Sequence, residues 1–570
     1  MSLFMNKKCQ WFMPIWFMSQ LCAHSLQADN DKLFADDAEQ YAAVPLEVDP
    51  SYEDDFAHIE MEDEHGVGGQ SFRPGLLIED SYDIFSARDL VRRDKSLSVF
   101  LGNETIASRY HFLLYPQVRF SAWRLFGHVG LPLRFPIYDN VKKNTQGIRH
   151  KGFVDAESAI TPRGADFRSG WDIQRIIRHV ELNRPQDNYF ARLSRSHTIT
   201  LGHGELVHGL SPEGLYDQDP LFLSGHANFN AARLSGFVAP IFKASMLGLS
   251  ARFTPLSMLD APALVQNINF DATYVGDLTA PNGAKKFETS YVLEADRRSV
   301  KRHKGGAHGL VLGSASEIRP IAWLGLKPYV SWGQLWLTSL KGLDDATTSS
   351  YGGGLHVGPD VQIEFLPKKR SLLSFKSEGR LFSKNYYPGY FGSTYLIDRH
   401  IFNEPKNTRI SNQPITKSQY VKEGGDQRFR FGYLFELGYA YDEAFSTMLG
   451  YENARSFAKG AHLAPYRKLS FVTSILGADA LKFYLGYQAT SIDDLKELFD
   501  FEKSRALLSL RGQLKLMPFL YFDTWVKHSF GIYDMFTSST STDAEALWLS
   551  NMAETRSLNF GLGLELAMTF

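Results

Sequence analysis

Cysteine is nearly absent: the 570 residues hold two, Cys9 and Cys22. Both sit inside an N-terminal stretch that reads as a removable export signal. Once it is gone the chain has no thiol, which excludes disulfide staples, a thiolate nucleophile and a cysteine metal site. Long apolar runs are missing downstream, and that excludes a helical membrane protein. Neither sign of charge prevails, since 61 Lys and Arg stand against 63 Asp and Glu for a net charge of -2. A dedicated nucleic-acid binder needs a concentrated basic surface, so that class is excluded too. The chain is rich instead in aromatics and glycine, with 42 Phe, 26 Tyr and 46 Gly. That mixture suits many strands joined by turns.

At the N-terminus, Lys7 and Lys8 precede the apolar stretch CQWFMPIWFMSQLCA, and small residues offer cleavage after Ser25 or Ala28. This is the layout of a secretory signal over residues 1–28. From Asp29 to Glu64 the chain is acidic and unpatterned, with Lys32 as its single Lys or Arg. Such self-repelling composition predicts a largely disordered lead segment over 29–90.

After about residue 90, strict alternation returns repeatedly. In LNFGLGLELAMTF, residues 558–570, every second position is apolar and the positions between are small or polar. In FRFGYLFELGYAY, residues 429–441, Phe429, Phe431, Phe435 and Leu437 oppose Arg430 and Glu436. Successive side chains of a strand point to opposite faces, so each segment has one apolar face and one polar face. The links between such segments alternate short and long: MPF at 517–519, LGAD at 476–479, YDEA at 441–444, PKKR at 367–370, IRP at 318–320 and VAP at 238–240 are short. A soluble sandwich has no reason to keep that parity, whereas a membrane barrel has short turns at one rim and longer loops at the other. The expectation is an all-β fold: a single large antiparallel transmembrane β-barrel over 91–570, with an even number of about 18 strands (range 16–20), reaching 20 if SLSVFLG and RYHFLLYPQVRF pair as an opening hairpin.

These features, and above all the final strand ending in Phe570, resemble the outer-membrane β-barrel proteins of Gram-negative bacteria. The resemblance implies Sec-dependent export, residence in the cell outer membrane, a periplasmic location for residues 29–90, and outer-membrane lipid and lipopolysaccharide as surroundings. It also implies that the last strand, with Leu566, Met568 and Phe570, is the signal read by the barrel-assembly machinery.

Three features carry candidate chemistry. Residues 194–220 offer His197, His203, Glu205 and His208 as metal donors and Ser196 beside His197 as a nucleophile and base, but neither spacing is diagnostic. With Gly202, Gly204 and Gly209 among them, the segment reads instead as a glycine-bent strand end feeding a structured outer loop. The basic stretch RRSVKRHKGG contributes Arg297, Arg298, Lys301, Arg302 and Lys304 as a lipopolysaccharide contact, because charge-assisted bonds suit phosphate. Third, Lys376, Glu378 and Arg380 share one strand face, as do Glu288 and Glu294, while Arg511, Lys515 and Glu364 occupy polar faces of their own strands. An Arg or Lys facing lipid costs about 2–4 kcal/mol near the midplane, so these residues are expected to line the lumen.

The expected function is a porin-like passive channel for small polar solutes, narrowed by a constriction loop at 384–426. The alternative is a non-conducting surface barrel that binds lipopolysaccharide, polysaccharide or another cell, and an outer-membrane enzyme ranks behind both. No cofactor, metal site or catalytic residue is assigned, and no nucleic-acid partner is expected.

Overall fold

A computed structural model describes the chain from Ser96 to Thr569, leaving out most of 140–174, 212–219, most of 285–301, 340–349, most of 399–428, 457–466, 491–504 and 532–554, together with shorter gaps. The export signal over 1–28 and the acidic segment over 29–90 lie outside the described residues.

Twenty staves form one closed antiparallel sheet. In chain order they are β1 (Ser96–Ile106), β2 (Arg109–Ala122), β3 (Leu125–Gly130 continued by Leu133–Asp139), β4 (Ile177–Leu182) and β5 (Tyr189–Ser194). Next come β6 (Phe222–Asn228), β7 (Ala232–Ala239), β8 (Met246–Phe253), β9 (Ile268–Asp277 continued by Pro281–Ala284) and β10 (Arg302–Ser316 continued by Ile318–Ile321). They are followed by β11 (Leu324–Ser339), β12 (Ser350–Leu366), β13 (Ser371–Phe382), β14 (Arg430–Tyr441) and β15 (Phe445–Ser456). The last five are β16 (Lys468–Gly477), β17 (Leu481–Thr490), β18 (Arg505–Met517), β19 (Leu520–Gly531) and β20 (Thr555–Thr569). Each stave pairs with its sequence neighbours, and β20 returns to β1 through the register Ser96↔Thr569 to Glu104↔Gly561. Closure leaves no edge strand, so the backbone groups of the wall are satisfied within the sheet.

The expectation of about 18 strands is therefore corrected to 20. SLSVFLG and RYHFLLYPQVRF do pair, from Ser96↔Arg119 to Ile106↔Arg109, and supply two staves that the lower count leaves out. Parity also fails at two places, and the first is the two-residue link 107–108 between β1 and β2, at the rim away from Ser96 and Thr569. The second is the turn at residues 240–245, which joins β7 to β8 at the rim opposite the one that holds Ser96 and Thr569. The return link at the Ser96–Thr569 rim is the longer stretch 254–267, which contains the 3-10 turn Pro255–Met258 and the short helix Ala263–Gln266. The pair β8 and β9 is weakly marked in sequence because its inward positions are small or polar: Gly248 and Ser250 on one, Asn269, Asp271 and Thr273 on the other.

The two faces of the wall differ as the alternation requires. On β20, Phe560, Leu562, Leu564, Leu566 and Met568 are exposed, while Asn559, Gly561, Gly563 and Glu565 are buried. The same exposed apolar surface continues around the barrel through Leu101, Val118, Leu249, Phe270, Leu312, Trp332, Val357, Phe375 and Leu449. Trp123, Tyr189, Phe229, Trp323 and Phe519 are exposed near the terminal rim, and Tyr110, Tyr351 and Phe429 near the other. An apolar band of this extent, bordered by aromatics, fits hydrocarbon and two interfaces. Leu564, which pairs with Leu101 and Phe522 midway along the wall, tests the assignment. Leu564→Arg should lower unfolding stability in lipid vesicles by about 2–4 kcal/mol, read by denaturant titration; an unchanged midpoint would mean that this face does not meet lipid.

Candidate functional site: the barrel interior

A barrel of twenty staves is too wide for wall side chains to fill, since barrels of about 16–18 strands already leave an aqueous channel. Here two chain segments fold inward and fill part of that space. The first, within 198–211, leaves β5 and turns at Gly202 and Gly204, whose φ values of 64° and 90° suit glycine. The second, 383–398, follows β13 and ends in the short helix Tyr395–Asp398. They join each other: Gly389 N–H donates to Glu205 O at 2.8 Å, Phe391 N–H donates to Leu206 O at 2.9 Å, and Val207–His208 pairs in parallel with Phe391–Gly392.

Their apolar residues make the main core. Leu206, Val207, Leu210, Tyr386, Tyr390, Phe391 and Tyr395 are buried against wall residues that include Phe222, Val275, Val311, Leu335 and Phe382. Rings of Tyr390, Phe391 and Tyr395 meet at centroid distances of 4.9–5.5 Å. The wall makes room for them with glycine. A Cβ at Gly352 would lie 2.5 Å from the Asn385 carbonyl carbon, and one at Gly354 would lie 2.8 Å from Tyr386 Cδ1. Gly352 and Gly354, alternate positions on the inward face of β12, are thus the slot that receives the inward segment.

Charged groups pin the segments to the wall. His203 Nε2 lies 3.2 Å from Asp271 Oδ1, and its ring stacks on Tyr329 at 4.4 Å. Lys376 Nζ donates to His203 O at 2.7 Å, and His208 Nε2 lies 3.1 Å from Glu436 Oε1. Glu205, fully buried, accepts the His203 backbone N–H at 3.0 Å. Tyr395 Oη donates to Asp277 Oδ2 at 2.8 Å, and Arg399 Nη1 lies 3.2 Å from the same oxygen. Burial and the Asp277 carboxylate push the Tyr395 hydroxyl well above its ordinary pKa, so it keeps the proton it donates. Ser393 Oγ reaches across to Gln488 Oε1 on β17 at 2.6 Å.

One buried network lies wholly inside the wall and touches the second segment. Glu378 accepts from Arg380 Nε and Tyr329 Oη, and its Oε1 is 2.9 Å from His356 Nδ1. Arg380 also donates through Nη1 to Glu452, and His356 Nε2 is 2.9 Å from Tyr386 Oη. Here charges are paired and bonded, as burial demands.

The opposite arc of the interior is different. Between β1–β5 and β18–β20 a cavity of about 80 Å³ is lined by Arg119, Arg134, Arg178, Arg195 and Arg511, with Glu104, Asp523 and Glu565 among the facing groups. Arg134 Nε pairs with Glu104, and Arg511 Nη2 lies 3.7 Å from Asp523 Oδ1. Arg178 donates to Tyr115 Oη, and its guanidinium carbon stands 4.6 Å from the Tyr115 ring centre.

Lys376, Glu378, Arg380 and Arg511 are buried on the inward face, and Glu364 and Lys515 are half-buried on their staves. The first three, however, hold packed segments rather than border open water. Glu288, Glu294, Arg297, Arg298, Lys301 and Phe570 lie outside the described residues. Backbone positions Arg302 and Lys304 belong to β10, opposite Ala284 and Pro281. Leu566 and Met568 are exposed on β20. His203, Glu205 and His208 sit inside the barrel rather than in an outer loop, and Ser196 and His197 lie outside the described residues. Among the described residues no three His, Cys, Asp or Glu groups converge as a metal would need. No local motif in the sequence marks the arginine arc; its trace is the alternation on β2, where Gln117 and Arg119 face inward on either side of exposed Val118.

An apolar exterior, a closed sheet and a charged, partly filled interior define a membrane-spanning β-barrel. No family model matches the chain, and no curated protein does. Among solved structures, the chain is similar to the FrpB iron transporter from Neisseria meningitidis at 8% identity and a TM-score of 0.33, covering 85% of this chain and 83% of that one. OccK8 (OprE) from Pseudomonas aeruginosa follows at 10% identity and a TM-score of 0.28, covering 84% and 97%. CdiB from Acinetobacter baumannii stands at 6% and 0.27, and the match covers 83% of this chain but only 60% of CdiB. At such values these likenesses lend no argument about function.

Proposed function

We propose that the protein is an outer-membrane channel through which small polar solutes diffuse, along a lumen narrowed by the inward segments 198–211 and 383–398. The observation that carries this reading is the unequal filling of the interior. One arc is packed by apolar rings and paired charges, while the other keeps a cavity lined by arginines, carboxylates, Gln117 and Gln513. A polar cavity behind an apolar wall has a use in passage and none in lipid. Export through the Sec pathway and residence in the outer membrane belong to the same proposal.

The extent of the packed core favours a second reading, a closed barrel that acts through its surface loops. Single-channel recording of the purified full-length chain in a planar bilayer separates the two. Stepwise current supports the channel; a folded, silent barrel overturns it in favour of surface binding.

A further inference from the structure

We infer that the arginine-lined arc of the interior is a binding site for small organic or inorganic anions, carrying carboxylate or phosphate, and that it makes the lumen anion-selective. The selectivity rests on the channel reading above; the binding site does not.

Three observations carry it. First, charge is unequal at this place. Among the described lining residues, five guanidinium groups, those of Arg119, Arg134, Arg178, Arg195 and Arg511, face the cavity beside three carboxylates, Glu104, Asp523 and Glu565, an excess of arginines in number. The excess is local, because the packed arc sets Arg380 against Glu378 and Glu452, and His203 and His208 against Asp271 and Glu436. Low-dielectric walls focus such a field into the cavity.

Second, the cations are arginines held by neighbours. Arg178 is fixed by its bond to Tyr115 Oη and by the ring beneath it, Arg134 by Glu104, and Arg511 beside Asp523. A planar guanidinium whose orientation is set in advance matches the two oxygens of a carboxylate or phosphate and loses little freedom on binding. Third, the arginines come from staves on both sides of the β20–β1 seam and converge on one cavity. Arg119 lies on β2, Arg134 on β3, Arg178 on β4 and Arg511 on β18, while Arg195 directly follows β5. Rings of arginine are the arrangement that passes anions and holds back cations.

The test is the reversal potential of the full-length chain in a planar bilayer under a potassium chloride gradient. Chloride should permeate at least about threefold better than potassium. In the double variant Arg178→Gln, Arg195→Gln the ratio should fall toward one, whereas Glu104→Gln should raise it. Heat-modifiable migration in gels checks that each variant has folded. A conducting barrel with equal or cation-favouring permeability overturns the inference and leaves the channel standing.

A silent barrel overturns the channel reading, and direct binding then decides the site. Calorimetric titration of the detergent-solubilised chain with inorganic phosphate and, separately, with succinate should give saturable heat that the double variant loses. The stronger of the two responses identifies the ligand class. No saturable heat from either overturns the site.

Discussion

Deleting residues 384–398 and joining the ends with a short Gly-Ser link should raise single-channel conductance by about an order of magnitude while the barrel remains closed. The staves hold one another through continuous backbone ladders, from β1 around to β20 and back, and none of those ladders uses the inward segment. What the segment supplies is the filling: Tyr386, Tyr390, Phe391 and Tyr395 are all nearly inaccessible to solvent inside the wall. Its removal opens the packed arc to water. Gly352→Leu should act in the same direction without shortening the chain, because the new side chain would occupy the place of the 384–386 backbone. Increased current from both variants assigns the constriction to this segment. Unchanged current through two folded barrels would place the narrowest point elsewhere.

The wall was legible in the sequence because its rule is local. A strand turns alternate residues to opposite faces, so thirteen residues such as LNFGLGLELAMTF reveal both faces without reference to any partner. Legibility failed where the inward face is made of small residues or where pairing had to be assumed, as at β8 with β9 and at β1 with β2. The β1–β2 hairpin alone accounts for the two staves by which eighteen falls short of twenty. The interior followed no local rule at all. His203 and His208 look like loop residues because their partners, Asp271 and Lys376 for the first and Glu436 for the second, are 68 to more than 200 positions away in the chain. Gly352 and Gly354 look like strand weakness until the 384–386 backbone and the Tyr386 ring are seen to need their space. The arginine arc is spread from position 119 to position 511, so its convergence follows only from closure of the sheet.

Replacing Glu378 tests whether the interior is held by its charges. This carboxylate is 1% exposed and accepts from Arg380, Tyr329 and His356, and the last of these reaches Tyr386 of the inward segment. Glu378→Ala removes three bonds at once and leaves Arg380 with Glu452 as its remaining carboxylate in this network. Breaking the buried Glu378–Arg380 pair costs about 3–5 kcal/mol, because Arg380 loses one of its two carboxylates in low dielectric while Tyr329 and His356 lose their acceptor. Denaturant titration in vesicles should show that loss, and conductance should rise as Tyr386 loses its anchor. Glu378→Gln, which keeps the shape and part of the hydrogen bonding, should lose less than the alanine variant on both measures. The two readouts distinguish the possible roles. A stability loss with unchanged current would make the network a brace for the wall alone, and loss of neither would mean that packing of the aromatic rings holds the segment without it.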